Sequence, residues 1–174
     1  EVVLESKDLE KVYDGIALTN GETPLICEGI ISGDSVWATF TGAQTEVNYQ
    51  TDVNNNTFEA PIFKNSENKD ITDSYQVTDS IFGTLKVTER PFYINTGSMS
   101  WIYDGNAHLY DSETEIERQG VNRGILFTHS ITLNHPSVTN VTEGKINNKP
   151  IIVSIIFVDV GGQLVDATRN YLLD

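Results

Sequence analysis

The chain has 174 residues, 39% of them hydrophobic, with 25 acidic against 11 basic side chains and a formal net charge of −14. That balance excludes nucleic acid and anionic membrane surfaces as ligands, because both demand clustered Lys and Arg. The one cysteine, Cys27, excludes an intrachain disulfide and suits a disulfide-poor extracellular protein or a cytosolic one equally.

In chain order, Glu1-Val2-Val3-Leu4-Glu5 has neither the basic region nor the apolar stretch of a secretory leader, so a secreted origin would make this chain a piece of a longer protein. Asp14-Gly15 and Ser32-Gly33-Asp34 are turn signals. Ser35 to Thr41 alternates, with Val36, Ala38 and Phe40 in one register and Ser35, Trp37, Thr39 and Thr41 in the other, which predicts a half-buried strand. Asn54-Asn55-Asn56 predicts a turn and Thr84 to Thr88 another alternating strand. Glu89-Arg90-Pro91 reads as a short linker that leaves two domains end to end with limited swing, and Phe92-Tyr93-Ile94 as the opening of a new strand, since proline is tolerated at a strand start but not at its centre. Gly124 to Ile131 is expected as a strand equivalent to Ser35–Thr41. The longest apolar run, Ile151 to Val160, is interrupted by Ser154 and Asp159 and is too short to span a bilayer. Gly161-Gly162 is a turn. No long segment carries apolar residues at helical spacing, so the many short strands predict an all-β protein of sandwich type.

The chain also repeats itself. Lys11-Val12-Tyr13-Asp14-Gly15-Ile16-Ala17-Leu18 returns as Trp101-Ile102-Tyr103-Asp104-Gly105-Asn106-Ala107-His108, an offset of 90 (103 minus 13). Thr45-Glu46-Val47 matches Thr139-Asn140-Val141 at 94, and Asp70 to Tyr75 matches Asp166 to Tyr171 at 96. The growing offset places extra residues in the loops of the second copy, where closing a longer loop costs little. These matches predict two tandem immunoglobulin-like β-sandwich domains, residues 1–89 and 90–174, each of roughly the usual size of about 90 residues. The first copy runs 13 residues past Tyr75 (88 minus 75) and the second only 3 past Tyr171 (174 minus 171). The second domain is therefore expected to lack its closing strand and to present an open sheet edge with unpaired backbone donors beside its first strand.

Lys11 to Thr19, Gly33 to Val36, Thr41 to Thr45, Asp70 to Tyr75 and Gly83 to Thr88 together resemble the YDG/MBG-type repeats of Gram-positive bacterial surface proteins. The likeness spans nearly all of the first copy. The second is degenerate, with Asn134-His135-Pro136-Ser137 where Thr-Gly-x-Gln is the pattern. The resemblance implies immunoglobulin-like modules of large, often wall-anchored, extracellular proteins, many of them adhesins. It implies no catalytic residue, cofactor or metal. It also implies partners among neighbouring repeats of the same chain and host or matrix proteins or glycans.

Read from the residues themselves, the sharper candidates give way to plainer ones. Tyr13-Asp14-Gly15 is expected as a turn, with Gly15 at positive φ, Asp14 bonding a backbone amide, and Tyr13 giving its ring to the core edge and its hydroxyl to a backbone partner. Glu67, Asp70 and Asp73, and Asp111, Glu113 and Glu115, are acidic clusters of the kind calcium uses, but no stretch has the spacing of a calcium loop, and a solvated acidic surface is the expectation. Lys11 lies near the first strand, where a Lys–Asn isopeptide bond would form, but Trp101 replaces it in the second copy. The three histidines, His108, His129 and His135, all fall in the second copy; His129 and His135 are expected at strand or turn surfaces, and Cys27 as a buried structural thiol. The sequons at Asn55-Asn56-Thr57 and Asn140-Val141-Thr142 have no weight in a bacterium. Trp37 is expected in a core or on a sheet face, Trp101 near the domain joint. With no nucleophile, metal or phosphate motif, the sequence points away from an enzyme. It favours a non-catalytic structural or display module, the alternative being a carbohydrate-binding module of an extracellular enzyme.

Overall fold

A computed structural model describes residues 1–21, 23–109, 114–141 and 147–174. The chain is nearly all β and divides into two compact units, Glu1–Thr88 and Glu89–Asp174. Unit 1 contains β1 (Val2–Glu5), β2 (Leu9–Val12), β3 (Leu18–Thr19), β4 (Ile26–Glu28), β5 (Ser35–Phe40), β6 (Ala43–Gln44), β7 (Phe58–Lys64), β8 (Val77–Ile81) and β9 (Leu85–Thr88). Unit 2 contains β10 (Arg90–Phe92), β11 (Ile94–Asn95), β12 (His108–Leu109), β13 (Glu115–Ile116), β14 (Ser130–Asn134), β15 (Ser137–Val138), β16 (Ile151–Val158), β17 (Leu164–Asp166) and β18 (Tyr171–Leu173). Among the described residues the only helix is two short 3-10 turns, Thr72–Ser74 and Thr168–Asn170.

In unit 1 the first strands pair with the last. β1 lies between β4, antiparallel with Leu4 opposite Cys27, and β8, parallel with Leu4 opposite Ser80. β2 pairs in parallel with β9, Leu9 opposite Leu85 through Val12 opposite Thr88. β3 pairs with β6, and β9 also lies against both. β5 and β7 form the longest antiparallel pair of the unit. The alternation read from the sequence holds in β5: Val36, Ala38 and Phe40 turn toward a core built on Val2, Leu4, Phe58 and Phe63. Phe58 meets Phe40 and Phe82 edge to face, and Phe63 stacks on Tyr75 at 4.4 Å, arrangements that suit the charge distribution of aromatic rings. Trp37 takes the other register, opposite Ile62, and is 65% exposed. Of its two expected places, the outer sheet face is correct and the core is not, because one residue of shift along a strand reverses the face.

Unit 2 pairs β11 with β13, β12 with β15, β14 with β16, β16 with β17, and β10 in parallel with β18, with no counterpart of the β2–β9 pair among the described residues. Two expectations are corrected here. Arg90 and Pro91 are not linker but part of β10, because the buried Arg90 guanidinium donates to the carbonyls of Gly124, Gly120 and Arg123 (2.7, 2.6 and 2.6 Å) and fixes that strand in the unit. Gly124 to His129 is not a strand: Gly124 is a bend, Ile125 makes a single bridge to Arg118, Phe127 and Thr128 turn, and β14 starts at Ser130. Gly124 has φ +80°, and a Cβ there would lie 2.2 Å from the Arg118 carbonyl, so the chain bends where alternation alone predicted extension.

β9 carries the second apolar centre of unit 1: Leu85 and Val87 are fully buried. Leu85→Ala is expected to destabilise unit 1 by about 2–5 kcal/mol, through lost burial and the cavity left behind. Denaturant unfolding followed by NMR signals of unit 1 measures this, and a loss within error of zero would show that β9 does not close the unit in solution.

Candidate functional site

The Tyr-Asp-Gly segments are turns in both units. Asp14 Oδ1 accepts the Ile16 N–H at 2.9 Å, and Gly15 has φ +78°. Asp104 Oδ1 accepts the Asn106 N–H at 2.9 Å, and Gly105 has φ +82°. The cation beside the turn differs. In unit 1 the Lys11 ammonium sits 2.6 Å from Asp14, so Lys11 serves this exposed turn. In unit 2 Trp101 stands at that position and stacks on His108 at 5.4 Å, while His108 Nε2 pairs with Asp104 Oδ1 at 2.9 Å. The backbone and side-chain amides of Asn106, then His108, pull the Asp104 carboxyl down to about 2 from 3.8.

The Asp-x-Thr segments are turns as well. Asp70 accepts the Thr72 N–H and Asp166 the Thr168 N–H. Each threonine hydroxyl then accepts a strand amide, Phe63 N–H in unit 1 and Ile155 N–H in unit 2. The following tyrosines act as backbone clasps: the Tyr75 hydroxyl donates to Asp34 and accepts the Ile31 N–H, and the Tyr171 hydroxyl accepts the Leu126 N–H. Burial pushes the Tyr171 phenol up to about 12. Tyr75 and Tyr171 thus each give a hydroxyl to a backbone partner.

A third shared feature is a pair of asparagines, of which the sequence marks the first-unit copy only as a turn and a sequon. In unit 1, Asn56 Nδ2 donates to Lys7 O, and Ser6 Oγ donates to Asn56 O (2.8 and 2.6 Å). In unit 2, Asn148 Nδ2 donates to Gly97 O, and Thr96 Oγ1 donates to Asn148 O (3.4 and 3.0 Å). In unit 1 this cradle holds β9 and the residues leading into it: Asn56 N–H donates to Gly83 O, Gly83 N–H donates to Ser6 Oγ, and Asn55 and Asn48 bond the backbone of Leu85 and Val87. Asn147-Asn148 repeats Asn55-Asn56 at an offset of 92 (147 minus 55), a signal visible in the sequence once the loops are aligned.

In unit 2, no described segment occupies the place that β9 takes. Ser98 to Ile102, at the positions of Asp8 to Val12, form no strand and no backbone hydrogen bond among the described residues. A groove of about 850 Å³ opens there, lined by Ser98, Met99, Trp101, Tyr103, His108 and Val138, and also by Asn147 and Asn148. The exposures follow: Tyr13 is 1% exposed and Tyr103 61%, Val47 2% and Val141 80%.

The other candidates fall elsewhere. His129 is buried, not at the surface as expected; its ring lies 4.6 Å from that of Phe157 and 5.8 Å from that of Tyr171. His135 Nε2 lies 3.4 Å from the Thr114 hydroxyl. Cys27 is half-buried against the unit 1 core, and desolvation pushes its thiol up. Asp111 and Glu113 lie outside the described residues, as does Thr142 of the second sequon. Among the described residues no three His, Cys, Asp or Glu side chains are placed to share a metal ion, and no helix is long and apolar enough to cross a membrane. No family model matches the chain, and no curated protein or solved structure is significantly similar to it.

The Asp104 turn has a signed pH dependence. A carboxyl lowered on folding contributes stability that is complete above its ordinary value of 3.8 and is lost as the pH falls through about 2. Carbon-detected NMR titration should give Asp104 a midpoint near 2. A midpoint at 3.8 would mean that the Asn106 and His108 contacts do not persist in solution.

Proposed function

We propose that the chain is a non-catalytic structural and display segment of an extracellular, wall-associated bacterial surface protein, built from two tandem immunoglobulin-like sandwich repeats. The observation that carries this reading is the parallel pairing of first with last strands in unit 1, β1 with β8 and β2 with β9. In a parallel pair formed by the two ends of a unit, tension along the chain pulls the strands past one another. All the ladder hydrogen bonds then resist together instead of opening one at a time. A spacer under mechanical load has use for that arrangement. The shared motifs support the reading, because the Asp-Gly turns and Asp-x-Thr turns serve backbone amides rather than converging on a reacting group. The sequence resemblance supplies the bacterial surface and the adhesin context, with neighbouring repeats and host or matrix molecules as partners.

A second reading, a carbohydrate-binding module, is favoured by Trp101 and Tyr103 lining one groove with Asn147 and Asn148 beside them, since aromatic rings and amides are the groups that hold sugars. Pulling the chain by its two ends in a single-molecule instrument tests the first reading: two unfolding events are expected, with unit 1, closed by β9, giving way at the higher force. Extension of unit 1 at forces too low to resolve would remove it. Oligosaccharide titration monitored at the Trp101 resonance tests the second, and saturable shifts would favour it.

A further inference from the structure

We propose that the unit 2 groove is a receptor for an extended polypeptide strand of the pattern Gly-Thr-apolar-x-apolar-Thr, which adds in parallel to Ser98–Ile102 and closes the unit. The occupant is defined by what fills the corresponding place in unit 1. There Gly83 to Thr88 runs parallel to β2, with Leu85 and Val87 buried. Beside the bonds of Asn48 and Asn55 to Leu85 and Val87, its backbone is held at both ends: Gly83 O takes the Asn56 N–H, Gly83 N–H the Ser6 hydroxyl, Thr84 N–H the Asp8 carboxylate, Thr84 O the Leu9 N–H, and Thr88 O the Tyr13 N–H.

Unit 2 presents the counterparts. The Thr96 hydroxyl already donates to Asn148 O, as Ser6 does to Asn56 O, and keeps its lone pairs for an incoming amide. Ser98 offers an acceptor where Asp8 stands. The N–H groups of Met99, Tyr103 and Asn148 have no partner among the described residues. Backbone donors aligned along a groove are the recognition surface for strand addition, in which main-chain bonds give affinity and alternate side chains give selectivity. The apolar wall is supplied by Met99, Trp101, Tyr103 and Val138.

The pattern has one strict position. A Cβ on Gly83 would stand 2.5 Å from Lys7 and 2.6 Å from Ser6 O, backbone atoms that cannot swing aside. The corresponding chain in unit 2 is tied to Asn148 through the Thr96 hydroxyl and the Gly97 carbonyl. An occupant of the groove therefore needs glycine at its entry, a demand that a sugar or a nonspecific apolar peptide does not meet.

The test uses the whole 174-residue chain with a synthetic peptide of the sequence of Asp79–Thr88, and the same peptide carrying Gly83→Ala. Amide exchange of Ser98–Tyr103 should slow by about tenfold or more with the first peptide and stay unchanged with the second. Because a short free peptide binds weakly, the two sequences are also fused directly after Asp174, whose pairing position follows that of Leu173 as Thr78 follows Val77. The fused glycine form should protect the same amides and raise the Tm of unit 2, and the fused alanine form should do neither. Equal behaviour of the two fusions, or no protection by the glycine fusion, overturns the proposal. So does protection by soluble oligosaccharides with none by either peptide or fusion, which would assign the groove to sugar.

Discussion

The structure of unit 1 depends on one constraint, the parallel closure of β2 by β9. The paired residues are far apart in sequence: Leu9 faces Leu85, 76 positions on (85 minus 9). Such a contact bears the entropy of closing almost the whole unit, so it forms only with support beyond its own ladder. That support is chemical and local. Asn48 and Asn55 satisfy the inner edge of β9, Asn56 and Ser6 seat the glycine before it, and Asp8 takes the next amide. Buried backbone groups left without such partners would each cost free energy, which is why so many short polar residues stand around one apolar strand.

The consequences reach the turn that looks most like a motif. Tyr13 is buried because its own N–H is tied to Thr88 O and the chain around it is held against β9. Tyr103 opens the same Asp-Gly turn, but it stands exposed beside the groove. The turn is therefore stable without the strand, whereas burial of the tyrosine is not. The exchange of Lys11 for Trp101 fits this division. A lysine needs only the Asp14 carboxylate, while a tryptophan at that position covers His108 and widens the apolar wall of the open groove.

The parts of the fold legible in the sequence were those governed by local chemistry. Alternation located β5 and β9 with their buried faces, and Asp-Gly located the turns, because both depend on residues a few positions apart. The turns of the second unit were legible for a different reason: the chain carries its own reference copy, so the Asp-Gly and Asp-x-Thr turns could be matched across the units. Three features were not legible. Arg90 reads as linker because nothing near it in sequence announces the carbonyls of Gly120 and Gly124 that it meets in space. His129 reads as surface because its apolar partners, Phe157 and Tyr171, lie 28 and 42 residues away (157 minus 129, 171 minus 129). The Asn55-Asn56 pair reads as a polar turn, and only the Gly83 amide and carbonyl show it to be a strand cradle.

That cradle also separates what the two units share from what distinguishes them. The shared side chains, Asp14 and Asp104, Thr72 and Thr168, Asn56 and Asn148, are all engaged with backbone, so their recurrence reports a folding requirement. Selectivity has to come from positions that face the same place with different chemistry. Such positions gather around the groove: Ser98 for Asp8, Trp101 for Lys11, His108 for Leu18 and Val138 for Gln44. Two charges are lost, Asp8 and Lys11, and aromatic surface is gained, while the hydrogen-bonding frame is kept. A surface that preserves the frame for an extended backbone and trades charge for aromatic contact is suited to hold a strand more by burial than by ion pairing.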